Sequence, residues 1–419
     1  VIASGISNGG TGALQAAEQD LSGLIDGVAI TEPTAQPANV KKLRIVQGST
    51  EQPMIGQSLL DYFTVANLYQ PCAALALAPV DTAGYVIIDL LTPSVIAQGA
   101  TRCASLAAKG LVAGATPEEQ AEDALAKLHA YGWLTDSDTL QLSHYALATP
   151  AVTMTYINAL GRVSVLDHLC GFSFANTDPA GNPVPQVLET QLGTFSTANG
   201  IPPTSGVNLV YNDAANGGGM GKRDILASSP STGAFDLALD GAICQRNLTV
   251  GRHIVDGGAL DANEAAYARR IGEGITEVRL TARLRGKPAL IVHGRADALV
   301  PVNHASRAYY GANQLAEGSG HRKLSYIEIT NAQHFDAFLG LPGYAERFVP
   351  LHVYLIGALN AMYDHLTTGT ALPPSQIVRT VPRGPGAPSI AATNVPNFSA
   401  DPTANDRIVF KRNTLYIPD

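Results

Sequence analysis

Val1-Ile2-Ala3-Ser4-Gly5-Ile6-Ser7-Asn8-Gly9-Gly10 opens the chain and decides how the rest is read. Val1 to Ser4 has strand character and runs into Gly5-Ile6-Ser7-Asn8-Gly9, which fits G-x-S-x-G. Ala13, Leu14, Ala17 and Leu21 then recur at helical spacing until Ser22-Gly23 stops them. Strand, tight turn and helix in that order are what a nucleophile elbow needs, because the sharp turn pushes a serine hydroxyl out at the end of the strand. The glycines of the motif are expected where a Cβ would strike the strand or the helix. Alone the motif is weak: at 41 glycines in 419 residues, composition gives about 0.2 chance matches. Its context strengthens it, since the apolar run Gly27 to Ile30, ending in Glu32-Pro33, completes a β-α-β pattern.

Outward from this unit, residues 36–285 read as a large, mainly helical insertion without regular strand spacing. Its clearest helix starts at Thr116-Pro117-Glu118-Glu119, where Thr116 caps, Pro117 suits the first turn and Glu119 closes a capping box, with Ala121, Leu125 and Leu128 on a buried face. Residues 176–221, rich in Pro, Gly, Asn and Thr, read as loop. Order returns in residues 286–370. Ala289-Leu290-Ile291-Val292 has the continuous apolar character of a buried parallel strand, and the loop His293-Gly294-Arg295-Ala296-Asp297 follows it. A helix from about Asn303 to Leu315 leads to a strand at Leu324 to Ile329, facing the core through Leu324, Tyr326, Ile327 and Ile329, and then to the loop Asn331-Ala332-Gln333-His334. One long helix is predicted from Tyr344 to Leu366, burying Phe348, Leu351, Leu355, Leu359 and Met362. The last residues, 371–419, read as a surface-wrapping tail with one late strand at Arg407 to Lys411.

Ser7, Asp297 and His334 follow three strands in the chain order of an α/β-hydrolase. In that fold the acid and the base sit on loops at the C-terminal ends of parallel strands. Asp297 would hold the His334 tautomer, His334 would take the Ser7 proton and return it to the leaving alkoxide, and the backbone amide of Asn8 would be one oxyanion donor. The plain alternative for Ser7 is a helix N-cap in a glycine-rich turn. Asp336 rivals Asp297, but its place two residues from His334 is too close to come from a separate strand loop. His293 reads as a structural histidine at a strand end. His304, His321, His352 and His365 have no partners at metal-ligand spacing, so neither a metal nor another cofactor is expected.

With 27 Lys+Arg against 35 Asp+Glu the net charge is −8, which argues against nucleic-acid and anionic-membrane partners, both bound through clustered basic residues. At 46% hydrophobic and 15% charged residues, the chain can bury a large core. The apolar run after Cys72 ends at Pro79, short of a membrane span. Cys72, Cys103, Cys170 and Cys244 contain no C-x-x-C pair and leave three full pairings open. Gly217-Gly218-Gly219-Met220-Gly221-Lys222-Arg223 imitates a phosphate loop, but Asn216 and Arg223 occupy its first-glycine and Ser/Thr positions. Gly10-Thr11-Gly12 has Gln15 where a dinucleotide fingerprint needs glycine. Asn247-Leu248-Thr249 fits a glycosylation sequon. Trp133, Tyr62, Phe63, Phe172 and Phe174 are weighed as an acyl pocket against the commoner core role.

Ala3 to Gly10, with Ala16-Ala17-Glu18-Gln19-Asp20, Gly23-Leu24-Ile25-Asp26-Gly27-Val28-Ala29 and Glu32-Pro33, resembles the bacterial D-3-hydroxybutyrate oligomer hydrolases. The resemblance runs through most of the chain and is most specific in the first 35 residues. It implies a serine esterase that cleaves the oligomers released from poly(3-hydroxybutyrate) into monomers, with the nucleophile on Ser7. It also implies a secreted or periplasmic bacterial protein, although no signal peptide is visible. Asp297 and His334 rest on the general hydrolase pattern. Within enzymes the alternative is an esterase for aromatic or polyester substrates, and outside them a non-catalytic binding protein. Family members extend well upstream of the nucleophile, whereas here only the elbow strand and three later strands are predicted. The expected architecture is therefore the C-terminal half of an α/β-hydrolase sheet, with the 36–285 insertion as a lid and an upstream segment or chain completing the sheet.

Overall fold

The computed structural model describes residues 1–77, 95–177, 183–185, 187–189, 207–211, 221–222, 228–234, 236 and 238–419. The imitation phosphate loop, except Gly221 and Lys222, and most of the 176–221 loop lie outside them. The chain divides into two compact units, one of residues 1–59, 130–138 and 278–419, the other of residues 60–129 and 139–277.

The first unit is built on a five-stranded parallel sheet. Its strands, numbered in chain order, lie side by side as β1 (Ile2–Ile6), β2 (Gly27–Thr31), β9 (Ala289–Gly294), β10 (Leu324–Ile329) and β11 (Gln376–Val378). β2 and β9 are buried at every position, as their unbroken apolar runs require when both faces of a sheet are covered. On one face Val28, Ile30, Ala289, Ile291, Leu324 and Tyr326 join Leu14 and Ala17 of α1 (Asn8–Gln19). On the other, Ala29, Leu290, Val292, Ile327 and Ile329 pack with Tyr354, Ala358 and Met362 of the helix His352–Thr368. The product is a mixed α/β unit with a parallel central sheet.

Four expectations for this unit change. Leu21 lies beyond α1 and is exposed, because Asp20 ends the helix by accepting from the Leu24 and Ile25 amides. The single long helix is two, Tyr344–Arg347 and His352–Thr368, since Pro350 cannot donate its backbone hydrogen bond within a helix. Phe348 and Leu351 remain buried in the break, but Leu355 and Leu359 are half-buried and the covered stripe of the second helix is Tyr354, Ala358 and Met362. The tail does more than wrap a surface: it supplies the fifth strand, β11, and places β12 (Val409–Lys411) and β13 (Thr414–Ile417) in a second sheet with β3 (Arg44–Gln47) and β4 (Thr50–Glu51). Ile377, Ile408, Leu415 and Ile417 are core residues.

The second unit is mainly helical, but its boundaries lie inside 36–285 and it also holds an antiparallel sheet. The strands are β5 (Phe172–Thr177), β6 (Pro183–Val184), β7 (Val207–Tyr211) and β8 (Gly221–Lys222), in the order β6-β5-β7-β8. The Thr116 capping box forms as predicted: the Thr116 hydroxyl accepts from the Glu119 amide at 3.2 Å, and the Glu119 carboxylate accepts from the Thr116 amide at 3.3 Å. In that helix Ala124, rather than Leu125, completes the buried face. The four cysteines pair as Cys72–Cys103 and Cys170–Cys244. A buried ion pair joins Arg102 to Asp236. Asn247 of the sequon is buried in a helix and accepts from the Ile254 amide, which leaves no exposed acceptor for a glycan. Tyr62, Phe63 and Phe172 are also buried. Among the described residues no helix is long and apolar enough to cross a membrane.

Candidate active site

Ser7 is held at φ 54° and ψ −122° between β1 and α1, a conformation that L-residues rarely adopt. Three backbone bonds fix it there. Its amide donates to the Thr31 carbonyl at 3.1 Å, and its own carbonyl accepts from the Thr11 amide at 3.1 Å and the Thr34 amide at 3.4 Å. The steric need for glycine is real at Gly5, where a Cβ would lie 2.3 Å from the Gly9 carbonyl carbon. It is absent at Gly9, whose Cβ would enter open space. The second tight position is Gly10, against the Thr31 carbonyl oxygen at 3.2 Å. Asn8 opens α1, and the amides of a helix's first turn point toward its N-terminal end, here the end that carries Ser7.

The acid and base loops are tied to each other before their side chains meet. The Arg295 amide donates to the Ile329 carbonyl at 2.8 Å and the Ala296 amide to the Ala332 carbonyl at 3.0 Å. This approach requires Gly294, where a Cβ would stand 2.5 Å from the Ala332 carbonyl oxygen. The result is one continuous relay. His334 Nε2 is 3.0 Å from Ser7 Oγ, and His334 Nδ1 is 2.6 Å from Asp297 Oδ2. The three predicted residues, far apart in sequence, are thus joined through His334, which is within hydrogen-bond reach of both Ser7 and Asp297.

Asp297 is fully engaged. Its Oδ1 accepts from the Leu299 and Val300 amides at 2.9 and 2.8 Å, and its Oδ2 accepts from His334 and, at 3.0 Å, from His293 Nε2. The second histidine changes the sequence reading. His293 and Gly294, read as the start of the loop, are the last two residues of β9; His293 also braces the acid, and its Nδ1 meets Ser306 Oγ at 2.6 Å. Burial opposes charge on Asp297, but the His334 charge and the bonds from both histidines outweigh it and hold the carboxyl well below the usual range. For His334, burial works against the imidazolium, while the charge and hydrogen bond of Asp297, with a contribution from Glu32, reverse the balance and raise it above the ordinary 6.5. A histidine tuned by a buried acid in this way is able to serve as a general base.

Asp336, the rival acid, is occupied elsewhere. Its oxygens accept from the Leu351 and His352 amides at 2.7 and 3.0 Å, so it anchors the start of the 352–368 helix. Trp133 is buried, its Nε1 donating to Asp138 at 3.0 Å. His304 bridges the Gln57 amide and the Tyr131 carbonyl. Among the described residues no three His, Cys, Asp or Glu side chains are placed to share a metal ion.

A family model described as 3HB-oligomer hydrolase (3HBOH) matches residues 1–419. The chain belongs to the 3HB-oligomer hydrolase family. Among its relatives, the D-(-)-3-hydroxybutyrate oligomer hydrolase of Polaromonas naphthalenivorans (strain CJ2) is 48% identical over 427 residues, covering all of this chain and 57% of that protein. The protein of the same name from Paracidovorax citrulli (strain AAC00-1) is 48% identical over 432 residues, covering 58% of its length. That of Azoarcus sp. (strain BH72) is 48% identical over 402 residues, covering 94% of this chain and 54% of its own. The chain therefore spans little more than half the length of these 3HB-oligomer hydrolases. No solved structure matches it.

Proposed function

We propose that the chain carries the ester-cleaving centre of a D-3-hydroxybutyrate oligomer hydrolase, releasing monomers in poly(3-hydroxybutyrate) degradation. The observation that supports this most is the Ser7–His334–Asp297 relay, with contacts of 3.0 and 2.6 Å, in a chain of this family. Ser7 Oγ attacks the ester carbonyl while its proton passes to His334 Nε2, and Asp297 holds the resulting imidazolium in line. The Asn8 amide donates to the tetrahedral oxyanion. His334 then protonates the departing hydroxybutyrate alkoxide, leaving an acyl-serine, and the same histidine activates the water that hydrolyses it. The order of nucleophile, acid and base after strands of one parallel sheet supports an α/β-hydrolase reading of the fold. Two disulfides support a secreted or periplasmic location, since such bonds persist in oxidising compartments.

Ser7→Ala tests this reading. Hydrolysis of the hydroxybutyrate dimer should fall by at least about 1,000-fold and fluorophosphonate labelling should vanish, with thermal unfolding nearly unchanged. Turnover at the wild-type rate would remove Ser7 as nucleophile. Activity on aromatic esters with none on the hydroxybutyrate dimer would redirect the substrate assignment.

A further inference from the structure

Four adjacent strands bring a reactive side chain to their C-terminal ends: Ser7 after β1, Glu32 after β2, Asp297 after β9 and His334 after β10. The proposed mechanism uses three of them. Glu32 lies in the segment that holds the nucleophile, between Thr31, whose carbonyl accepts from the Ser7 amide, and Thr34, whose amide donates to the Ser7 carbonyl. It is 0% exposed, neither carboxylate oxygen has a hydrogen-bond partner, and its backbone sits at φ 32°, unfavourable for any residue with a Cβ. A buried carboxylate without donors is costly, and backbone strain of this kind collects at functional sites.

Among the described residues the cation paired with Glu32 is His352, whose Nε2 stands 3.6 Å from Glu32 Oε1, too long for a hydrogen bond, while its Nδ1 is 3.3 Å from Asp336. We propose that Glu32, partnered by His352, is a second positioning carboxylate for His334. This rests on the reading of Ser7 and His334 as nucleophile and base. When the Ser7 proton moves to His334 Nε2, the Oγ–H bond breaks as the bond from Oγ to the acyl carbon forms, and positive charge appears on the imidazole. Glu32 neither gains nor loses a proton in that step; its charge stabilises the imidazolium, and the His352 charge opposes it. The other titratable groups around the base are Asp297 and His293 from β9 and its loop, and Asp336 from the base loop. Arg295 turns instead to Glu328.

The test is the pH dependence of p-nitrophenyl butyrate hydrolysis by the whole chain. Glu32→Gln should lower kcat about tenfold with KM within about twofold, and should move the acid limb down by about half a unit to one unit. Glu32→Asp should restore part of both. His352→Asn should move the acid limb up. In an Asp297→Asn background Glu32→Gln should cost more than it does alone, because one carboxylate then covers for the other. An acid limb that coincides with wild type in Glu32→Gln overturns the proposal. If that variant does not fold, an unmoved acid limb in His352→Asn, at a half-exposed side chain, overturns it as well. Hydrolysis persisting in Ser7→Ala would instead overturn the reading of the site on which the proposal stands.

Discussion

Asp297 and Asp336 are both carboxylates near His334 in sequence or in space, yet their surroundings give them separate tasks. Asp297 accepts four hydrogen bonds, two from histidines, whereas Asp336 accepts from the first amides of a helix. Asp297→Asn is expected to lower kcat on the order of 1,000-fold to 10,000-fold, since the amide disturbs the His334 tautomer. Asp336→Asn should leave kcat within a few-fold, because asparagine also serves at a helix start; steady-state kinetics on the hydroxybutyrate dimer separate the two, and the opposite ranking would reassign the acid. His334 is held above 6.5 by Asp297 despite its burial, and in the proposed mechanism it has to be neutral to accept the Ser7 proton. Activity should therefore rise with pH through a limb lying above 6.5, read as the pH profile of kcat/KM. The residue types of this site were legible because serine, aspartate and histidine follow recognisable strands. The bond of His293 to Asp297 and the burial of Glu32 without a hydrogen-bond partner were not, since neither residue belongs to a motif and only the folded sheet sets their surroundings.

At the scale of elements, β10 was readable to the residue and β9 to within its last two residues, because strands covered on both faces are mostly apolar. Gly294 is their most sensitive point, as its missing Cβ lets the acid loop lie on the Ala332 carbonyl at 2.5 Å from where that atom would be. Gly294→Ala should push the two loops apart and cut kcat by about 100-fold, since a displacement of roughly 1 Å has that effect on a positioned site. Gly9→Ala, whose Cβ enters open space, should retain most activity, and parallel assays of the two variants check the contrast. The break at Pro350 could have been read from sequence, because proline ends a helix at the residue before it. The smooth apolar spacing across residues 344–366 hid it: Phe348 and Leu351 are buried although neither is helical.

At the scale of the whole molecule, charge among the described residues is buried in tight groups. On the sheet face that carries Leu324 and Tyr326, Glu328 is held by Arg295 at 2.5 Å, by Arg307 at 2.7 and 2.8 Å, and by the Tyr326 hydroxyl at 2.7 Å. Burial opposes its charge, but Arg307 and then Arg295 outweigh it, so Glu328, like Asp297, lies well below the usual carboxylate range. A carboxylate lowered by folding adds stability above its unfolded value near 4 and loses it as the pH falls toward the folded value. Thermal stability should therefore drop steadily below about pH 4. The raised His334 works in the other sense: its contribution is complete below 6.5 and is lost as pH rises through its folded value, where activity appears. Glu328→Gln should cost about 3–5 kcal/mol, the penalty for leaving two buried arginines short of a partner, and unfolding measured across pH checks both statements.

By itself the sequence determined the elbow, the apolar runs of β2, β9 and β10, the chain order of Ser7, Asp297 and His334, and the family. These are local signals: a turn that only certain residues permit, and a periodicity set by what each strand must bury. The tertiary structure alone decided that the tail supplies β11 and the second sheet, that the cysteines pair 72 with 103 and 170 with 244, and that the insertion contains β-structure. It also decided that His293 meets Asp297 and that Glu32 is buried at the C-terminal end of β2. Each of these depends on which distant segments meet, and a pairing between separated strands or side chains leaves no pattern within either segment to reveal its partner.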